Sequence, residues 1–401
     1  MPREVAVLAA VAFAVAIGFG IVAPAIPVFA RHFGVGKTAA GAVVSAFALM
    51  RLVSALGGGR LVERFGERVI LSTGIFIVAG STGLSGLAQS YEQLLVLRAV
   101  GGIGSSMFTV SAMGLLFRVS GGANRGRAAS LFQGGFLVGG LVGPVIGSVL
   151  TGISLRLPFF VYAVSLLVAG GIAAVFLAHV RLRNGADPAP AAAAEEPVEE
   201  SLGVREALRS SAYRAALLAN FGTGWALFGV RMSLIPLFVT EAEGMDVDVV
   251  WVGIGFFCSS LTQISFLMYA GRYVDDVGRR PAMVRGGLIA GVAMLAVALS
   301  TALPVYIGAM LLFGVGSAFL GTAPGAVVGD VMRGRGGRVV AVFQMSSDSG
   351  AILGPLLAGA LADLFSYGWA LALTASVLFA GVVMSARMPE TGPAAGIRDR
   401  A

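Results

Sequence analysis

Charge is what this sequence has least of: Asp, Glu, Lys and Arg make up 12% of its 401 residues, whereas 57% are hydrophobic. That leaves too little polar surface to cover a water-soluble globule, and a soluble protein is excluded. Cysteine is down to Cys258 alone, so no intramolecular disulfide can form. Histidine is down to His32 and His179, too few and too far apart to suggest a metal site. A phosphate-binding loop is also missing, because Gly36-Lys37-Thr38 has Arg31 where the first glycine of that motif belongs.

Long apolar runs are abundant. Twelve of them, near 5–30, 38–59, 69–89, 91–116, 127–152, 157–179, 213–240, 248–271, 281–301, 303–328, 338–362 and 367–387, are each close to the ~20 residues a helix needs to cross ~30 Å of hydrocarbon. They predict transmembrane helices, here called spans 1 to 12. The first exceeds the roughly 7 to 15 apolar residues of a signal sequence and contains Pro24 and Pro27, so it is retained as a span.

The net charge of +7 does not form one basic face interleaved with aromatics, which argues against nucleic acid as a partner. Basic residues such as Arg60, Arg64, Arg68, Arg279, Arg280 and Arg335 collect in alternate loops, with Arg31, Lys37 and Arg156 on the other side. Both termini are therefore expected in the cytoplasm, with the chain in the inner (cytoplasmic) membrane and its acidic 241–248 loop outside.

Between spans 6 and 7 hydropathy collapses into a stretch containing Asp187, Pro188, Pro190 and Glu195 to Glu200, read as a cytoplasmic linker over 181–212. It divides two six-helix bundles, 1–180 and 213–401. These repeat each other. Pro24, Gly59, Glu63 and Gly66 recur as Pro236, Gly271, Asp275 and Gly278 at an offset of 212, as do Gly102, Gly104 and Ser105 as Gly314, Gly316 and Ser317. Arg127, Phe132, Gln133, Gly143 and Pro144 recur as Arg338, Phe343, Gln344, Gly354 and Pro355 at 211. A common register of this length is the mark of a duplicated six-helix unit in parallel orientation, with the working cleft between the halves.

The segment Gly59-Arg-Leu-Val-Glu63-Arg64-Phe-Gly66-Glu-Arg68 and its copy Gly271-Arg-Tyr-Val-Asp275-Asp-Val-Gly278-Arg279-Arg280 resemble the signature loop of the major facilitator superfamily. The first copy departs from the family pattern in having Glu63 for the usual Asp and Glu67 for a base. The resemblance implies an all-α membrane fold of two pseudo-symmetric six-helix bundles. It also suggests latches pairing Glu63 with the start of span 11 near Arg338, and Asp275 with the start of span 5 near Arg127. Arg98, Gly102 and Gly104 in span 4 look like the family's arginine motif. Gly139, Gly143, Pro144 and Gly147 in span 5, echoed by Gly350, Gly354, Pro355 and Gly359 in span 11, are similar to its antiporter pattern. Glycines at this spacing are also ordinary close-packing devices.

Four ionisable groups fall inside spans: Arg51, Arg98, Arg231 and Asp348. Such groups are costly in hydrocarbon and are functional candidates. The repeat partner of Arg98 is Met310, so duplication does not require the arginine; a cavity role and snorkelling to the outer interface are the competing readings. Arg51 and Asp348 both fall just cytoplasmic of the midplane on spans that the resemblance places face to face, and they are expected to pair, either as a gate that closes the inner side and opens when Asp348 is protonated or substrate binds, or as a purely structural tie. Burial and a nearby guanidinium act in opposite directions on a carboxyl, which makes it switchable. Candidate cavity residues are Arg98, Thr109, Gln133, Asn220, Trp225, Arg231, Met310, Phe313 and Gln344.

The expected function is secondary active transport by alternating access: proton-coupled export of a small hydrophobic or drug-like solute, neutral or anionic. No cofactor is expected beyond the proton gradient. The expected partners are the solute, protons and membrane lipid, and a monomer should suffice. An uptake symporter or facilitator is the nearest alternative, and a non-transporting receptor or scaffold is one of another class. An enzyme is not expected, since one deep carboxylate is no catalytic cluster.

Overall fold

A computed structural model of the chain describes residues 3–119, 121–176, 203–332 and 337–392. The described residues are helical throughout apart from short turns. Eleven helical segments are long and apolar enough to cross a membrane. The twelfth, span 11 (Gly337–Leu364), has 28 residues but is interrupted by Ser346-Ser347-Asp348-Ser349, which lowers its hydropathy.

The halves have matching dimensions. Spans 3 (Glu67–Gly86) and 9 (Arg279–Ala298) both have 20 residues, spans 4 (Tyr91–Val119) and 10 (Leu303–Val331) both 29, and spans 6 (Leu157–Phe176) and 12 (Tyr367–Ala386) both 20. Within each half the neighbours also correspond: span 4 packs on spans 2 (Lys37–Phe65) and 3, as span 10 packs on spans 8 (Val250–Asp276) and 9. The two halves meet along spans 2 and 11 and along spans 5 (Gly121–Ile153) and 8.

Spans 1 and 7 are broken, as their prolines require. Span 1 runs Arg3–Val22, turns at Ala23 and Pro24, and resumes as Ala25–Arg31. Span 7 begins at Ser211, passes through a π-helical stretch at Gly224–Val230 and ends as Arg231–Thr240 around Pro236. Proline lacks the N–H that the helix ladder needs and crowds the preceding turn, and a π-helical stretch absorbs the mismatch. The short helix Val204–Ala207 leads into span 7, and Ser210 caps it by accepting the Tyr213 N–H. Most of the expected linker, 181–212, lies outside the described residues.

The predicted signature loops are corrected in one respect. Span 2 stays helical to Phe65 and span 8 to Asp276, so Gly59, Glu63, Gly271 and Asp275 stand on helices that extend beyond the apolar runs. Hydropathy marks where hydrocarbon ends, not where the helix ends. The chain turns at Gly66 (φ 81°, ψ 151°) and Gly278 (φ 128°, ψ 165°), equivalent positions in the repeat. That region of backbone space is open essentially to glycine alone. Gly66 has no neighbour that a Cβ would strike, so Gly66→Ala isolates the backbone cost. Gly66→Ala and Gly66→Asn are each expected to destabilise by about 1 to 3 kcal/mol, read as a lowered Tm. Asparagine should give no rescue, because its left-handed preference lies near ψ of 47° rather than here.

Candidate functional site

The face carrying Gly66 and Gly278 is called the proximal face below; the opposite face, with the turns after Arg31, Thr240 and Leu364, is the distal face. The hydrogen bonds and ion pairs that join described residues of the two halves all lie between the distal face and mid-span.

At the distal rim, Arg31 Nε donates to Glu241 Oε1 at 2.6 Å, and the Tyr367 hydroxyl donates to the other oxygen of the same carboxylate. Lys37 Nζ bonds Glu243 at 2.5 Å and lies over the Tyr367 ring at 4.6 Å. Asp363, at the end of span 11, accepts the backbone N–H groups of Lys37 and Thr38, both at 2.8 Å, and the Thr38 hydroxyl at 2.6 Å. A carboxylate from one half thus caps the first turn of a helix in the other, where free N–H groups and the helix dipole favour negative charge. The hydrogen bond and charge of Lys37 hold the exposed Glu243 carboxyl below its ordinary range. That tie therefore survives as pH falls through the usual titration of glutamate and is lost only below it.

The seam continues inward along two tracks. On spans 2 and 11, Gly41 packs on Pro355, and the Ser45 hydroxyl donates to the Ile352 carbonyl at 2.7 Å. Next comes Arg51 Nη2 donating to Asp348 Oδ1 at 2.5 Å. On spans 5 and 8, Gly253 packs on Pro144 and Ser148, and the Ser260 hydroxyl reaches the Gly140 carbonyl at 3.4 Å. Arg51 is thirteen helical steps along from Thr38, so the seam is about 20 Å deep. Arg51–Asp348 and Ser260–Gly140 are its innermost links.

Proximal to these links no described residues of the two halves are shown bonded to each other, and side chains on the facing stripes are exposed. Leu56 is 73% exposed and Met268 72%. Gln344 lies one helical turn before Asp348, on the stripe of span 11 that faces span 2. Gln133 lies two turns before Gly140, on the stripe of span 5 that faces span 8. Both glutamines are exposed. Thr109, also exposed, is two turns along from Gly102, which abuts the Phe47–Arg51 turn of span 2. These residues line a cleft that opens on the proximal face and has the Arg51–Asp348 pair at its apex.

The expected pair is therefore present, but its setting corrects its role. It belongs to the distal closure and coexists with an open proximal side, so it is no proximal gate. It is accessible from the cleft, with side-chain exposures of 41% for Arg51 and 22% for Asp348. The repeat equivalents of the two residues are Gln263 and Leu137, so the other track has no ion pair at this depth. Duplication alone does not account for it.

The other candidates separate by burial. Arg98 is 3% exposed. Its guanidinium lies over the Phe47 ring at 4.5 Å, one turn distal to Arg51, and its Nε has no partner among the described residues. Asn220 and Trp225 are buried and bonded to neighbouring helices: Asn220 Nδ2 donates to the Phe343 carbonyl at 2.7 Å and Trp225 Nε1 to the Thr374 hydroxyl at 3.1 Å. Met310 and Phe313 are buried inside the second half. Of the two expected proximal latches, the one between Glu63 and Arg338 is not formed as an ion pair, and the side chain expected to partner Asp275 lies outside the described residues. Glu63 and Arg338 are both exposed and make no ion pair with each other. Asp275 pairs instead with Arg279, 3.3 Å away on the next turn, and Arg279 also holds Asp330 at 2.9 Å. The Arg127 side chain lies outside the described residues.

The glycines of spans 5 and 11 make the close helix contacts that their spacing allows. A Cβ on Gly139, Gly143 or Gly147 would strike the backbone of span 1 between Ala16 and Ile21, and one on Gly350 would strike span 7 at Phe221. Sequence reasoning missed the distal network of Glu241, Glu243, Asp363 and Tyr367. Its signal was available: the acidic 241–248 loop lies on the same side as Arg31 and Lys37.

Twelve helical spans in two matching halves, closed at one face and open at the other around a charged apex, define a membrane transporter. The family profile described as Major Facilitator Superfamily matches residues 8–261 and 232–400, and the chain belongs to that superfamily. It is a multi-pass membrane transporter of small solutes and not an enzyme. It is 25% identical over 282 residues to the quinolone resistance protein NorA of Staphylococcus aureus (strain MRSA252), covering 69% of each chain. It is 24% identical over 357 residues to multidrug resistance protein 1 of Bacillus subtilis (strain 168), covering 87% of each. In fold it matches a bacterial homologue of the human lysosomal transporter Spinster, solved inward-facing and unoccupied. That match has a TM-score of 0.74 at 17% identity and covers 96% of this chain and 95% of that one. A transporter of the POT family in complex with a thioalcohol-conjugated peptide gives 0.77 at 12% identity, with the same coverage.

Removing the Asp363 cap should loosen the distal closure. An N-cap is worth about 1 to 2 kcal/mol, so Asp363→Ala is expected to raise distal-side labelling of Ser45→Cys by an impermeant thiol reagent roughly tenfold. The background is Cys258→Ser. Asp363→Asn keeps an acceptor and should give a smaller rise.

Proposed function

We propose that this transporter is a proton-coupled exporter of hydrophobic, drug-like solutes, with Asp348 as the proton carrier and Arg51 as its switchable partner. The single observation that carries this reading is the Arg51–Asp348 pair at the apex of the cleft. Of the carboxylates on the described spans, Asp348 is the one in mid-span; the others lie near helix ends. The resistance functions named for the NorA and Bacillus relatives support export of drugs over uptake of a metabolite.

The orientation that fits has both termini and the proximal face in the cytoplasm. Arg64, Arg68, Arg280 and Arg338 lie on that face, whereas two of the distal bases, Arg31 and Lys37, are paired to acids. The membrane is then the inner (cytoplasmic) one, and a single chain suffices because the cleft is complete within it.

Cargo enters the open cleft from the cytoplasm and competes for Arg51. Asp348 is released, the seam loses its innermost tie, and the distal closure parts. On the outer side Asp348 takes up a proton as cargo leaves. Neutral Asp348 allows the seam to close again, and loss of the proton to the cytoplasm restores the ion pair. One inward charge across 100 mV supplies about 2.3 kcal/mol, enough for roughly fiftyfold accumulation before any pH gradient is added. Arg51 and Arg98 at or near the cleft, without surplus acids, favour a neutral or anionic cargo over a cationic one.

The test is accumulation of a chemically varied compound panel in an efflux-deficient bacterium. Wild type is expected to lower accumulation of some compounds in a manner abolished by an uncoupler. Asp348→Asn should lose that effect while reaching the membrane in normal amount. Full uncoupler-sensitive export by Asp348→Asn would contradict the assignment.

A further inference from the structure

Arg231 takes no part in the gate, yet it is the most enclosed charge in the second half. It is 4% exposed, and nine residues of span 7 separate it from Thr240, which places it about 14 Å from the distal end of that span. Arg231 Nη2 donates to the Phe256 carbonyl at 3.0 Å and to the Ser260 hydroxyl at 3.4 Å. Its guanidinium lies over the Phe256 ring, 4.4 Å from the centroid. These contacts fix the group in place, but none carries a full negative charge. Among the described residues no carboxylate pairs with it.

Three donors at this point are unpartnered. Arg231 Nε is one. The hydroxyl of Tyr306, a fully buried residue of span 10, is the second; it rests against Gly255, the residue before Phe256. The hydroxyl of Ser259 is the third, and Ser259 is also fully buried. Gly255 and Ser259 are one helical turn apart, so Ser259 stands on the stripe of span 8 that Tyr306 packs against. Spans 7, 8 and 10 thus bring three buried donors to one turn, beside a cation that nothing neutralises. Buried polar groups left without partners and buried charges left unpaired are both strongly unfavourable.

We propose that Arg231 Nε and the Tyr306 and Ser259 hydroxyls form a binding site for a small inorganic monovalent anion of halide size. A water molecule in this place would satisfy hydrogen bonds but leave the charge. An anion satisfies both, since guanidinium and hydroxyl donors form the stronger, charge-assisted class of hydrogen bond with it. Tyr306 packs closely on the Gly255 backbone, and such tight packing favours a monatomic ion over a larger one. The site also adjoins the seam, because Ser260, which holds Arg231, reaches the Gly140 carbonyl of the other half. Occupancy therefore steadies one wall of the distal closure.

The experiment uses the full chain purified in detergent without cargo, so its outcome is independent of transport. Thermal unfolding is followed in sodium chloride and in sodium gluconate at equal ionic strength. Chloride is expected to raise Tm saturably, as a ligand that binds only the folded state does, and bromide should replace it. Tyr306→Phe should weaken half-saturation by chloride about tenfold yet be no less stable than wild type in gluconate. Ser259→Ala should weaken it less, and Arg231→Met, where it folds, should abolish it. Bromide-soaked crystals should show an anomalous peak between Arg231 and Tyr306. Equal Tm in chloride and gluconate with no such peak would mean that the cluster holds water only and would overturn the proposal. So would a chloride effect unchanged in both Tyr306→Phe and Ser259→Ala.

Discussion

Two opposite charges at mid-span are the constraint on which the rest of this molecule depends. Neither Arg51 nor Asp348 is fully solvated at that depth, so each is better placed with the other than alone, and the pair ties spans 2 and 11 together there. Among the described residues, no ion pair joins the halves proximal to it. The depth of the pair therefore sets where the seam ends and the cleft begins. Because the pair is open to the cleft, whatever enters the cleft can also disturb the seam.

The remaining contacts make that disturbance consequential. Small residues let the backbones approach closely: Gly41 on Pro355, Gly253 on Pro144 and Gly359 on Thr38 bring the halves together with little side-chain interlock. Inside each half, Gly139, Gly143 and Gly147 bind span 5 to span 1, and Gly350 and Gly354 bind span 11 to span 7. Each half is thus packed as a unit, whereas the joint between them is a narrow, glycine-lined seam tied by a few polar links. Such a joint suits rigid-body rocking, since it has two ways to close and little to unpack. The distal carboxylates determine which way it is closed here.

Much of this was legible in the sequence. Apolar run lengths fixed the spans, and the common offset between Gly66 and Gly278 fixed the halves, because duplicated folds keep the residues their turns demand. Arg51 and Asp348 could be paired in advance because depth within a span can be counted and charges in hydrocarbon seek partners. The side of the membrane that the pair closes was not legible, since that depends on which of two arrangements the halves adopt. Nor was the burial of Asn220, Trp225, Met310 and Phe313: a polar or aromatic residue in a span looks the same from sequence whether it faces a cleft or a neighbouring helix. The helical extensions carrying Glu63 and Asp275 were missed because hydropathy reports hydrocarbon and not hydrogen bonding.

The central claim is that cargo competing for Arg51 frees Asp348 and releases the distal closure. It is tested most directly by spin-label distances between Gly34→Cys and Phe365→Cys, across the two distal turns, in the Cys258→Ser protein. A compound that the export assay identifies as cargo is predicted to shift that distribution to longer values in the protein that retains Asp348. In Asp348→Asn, which mimics the neutral carboxyl that lets the seam close, the distances should stay short with and without the compound. A distal distance that ignores cargo in the first protein, or responds equally in both, would contradict the account.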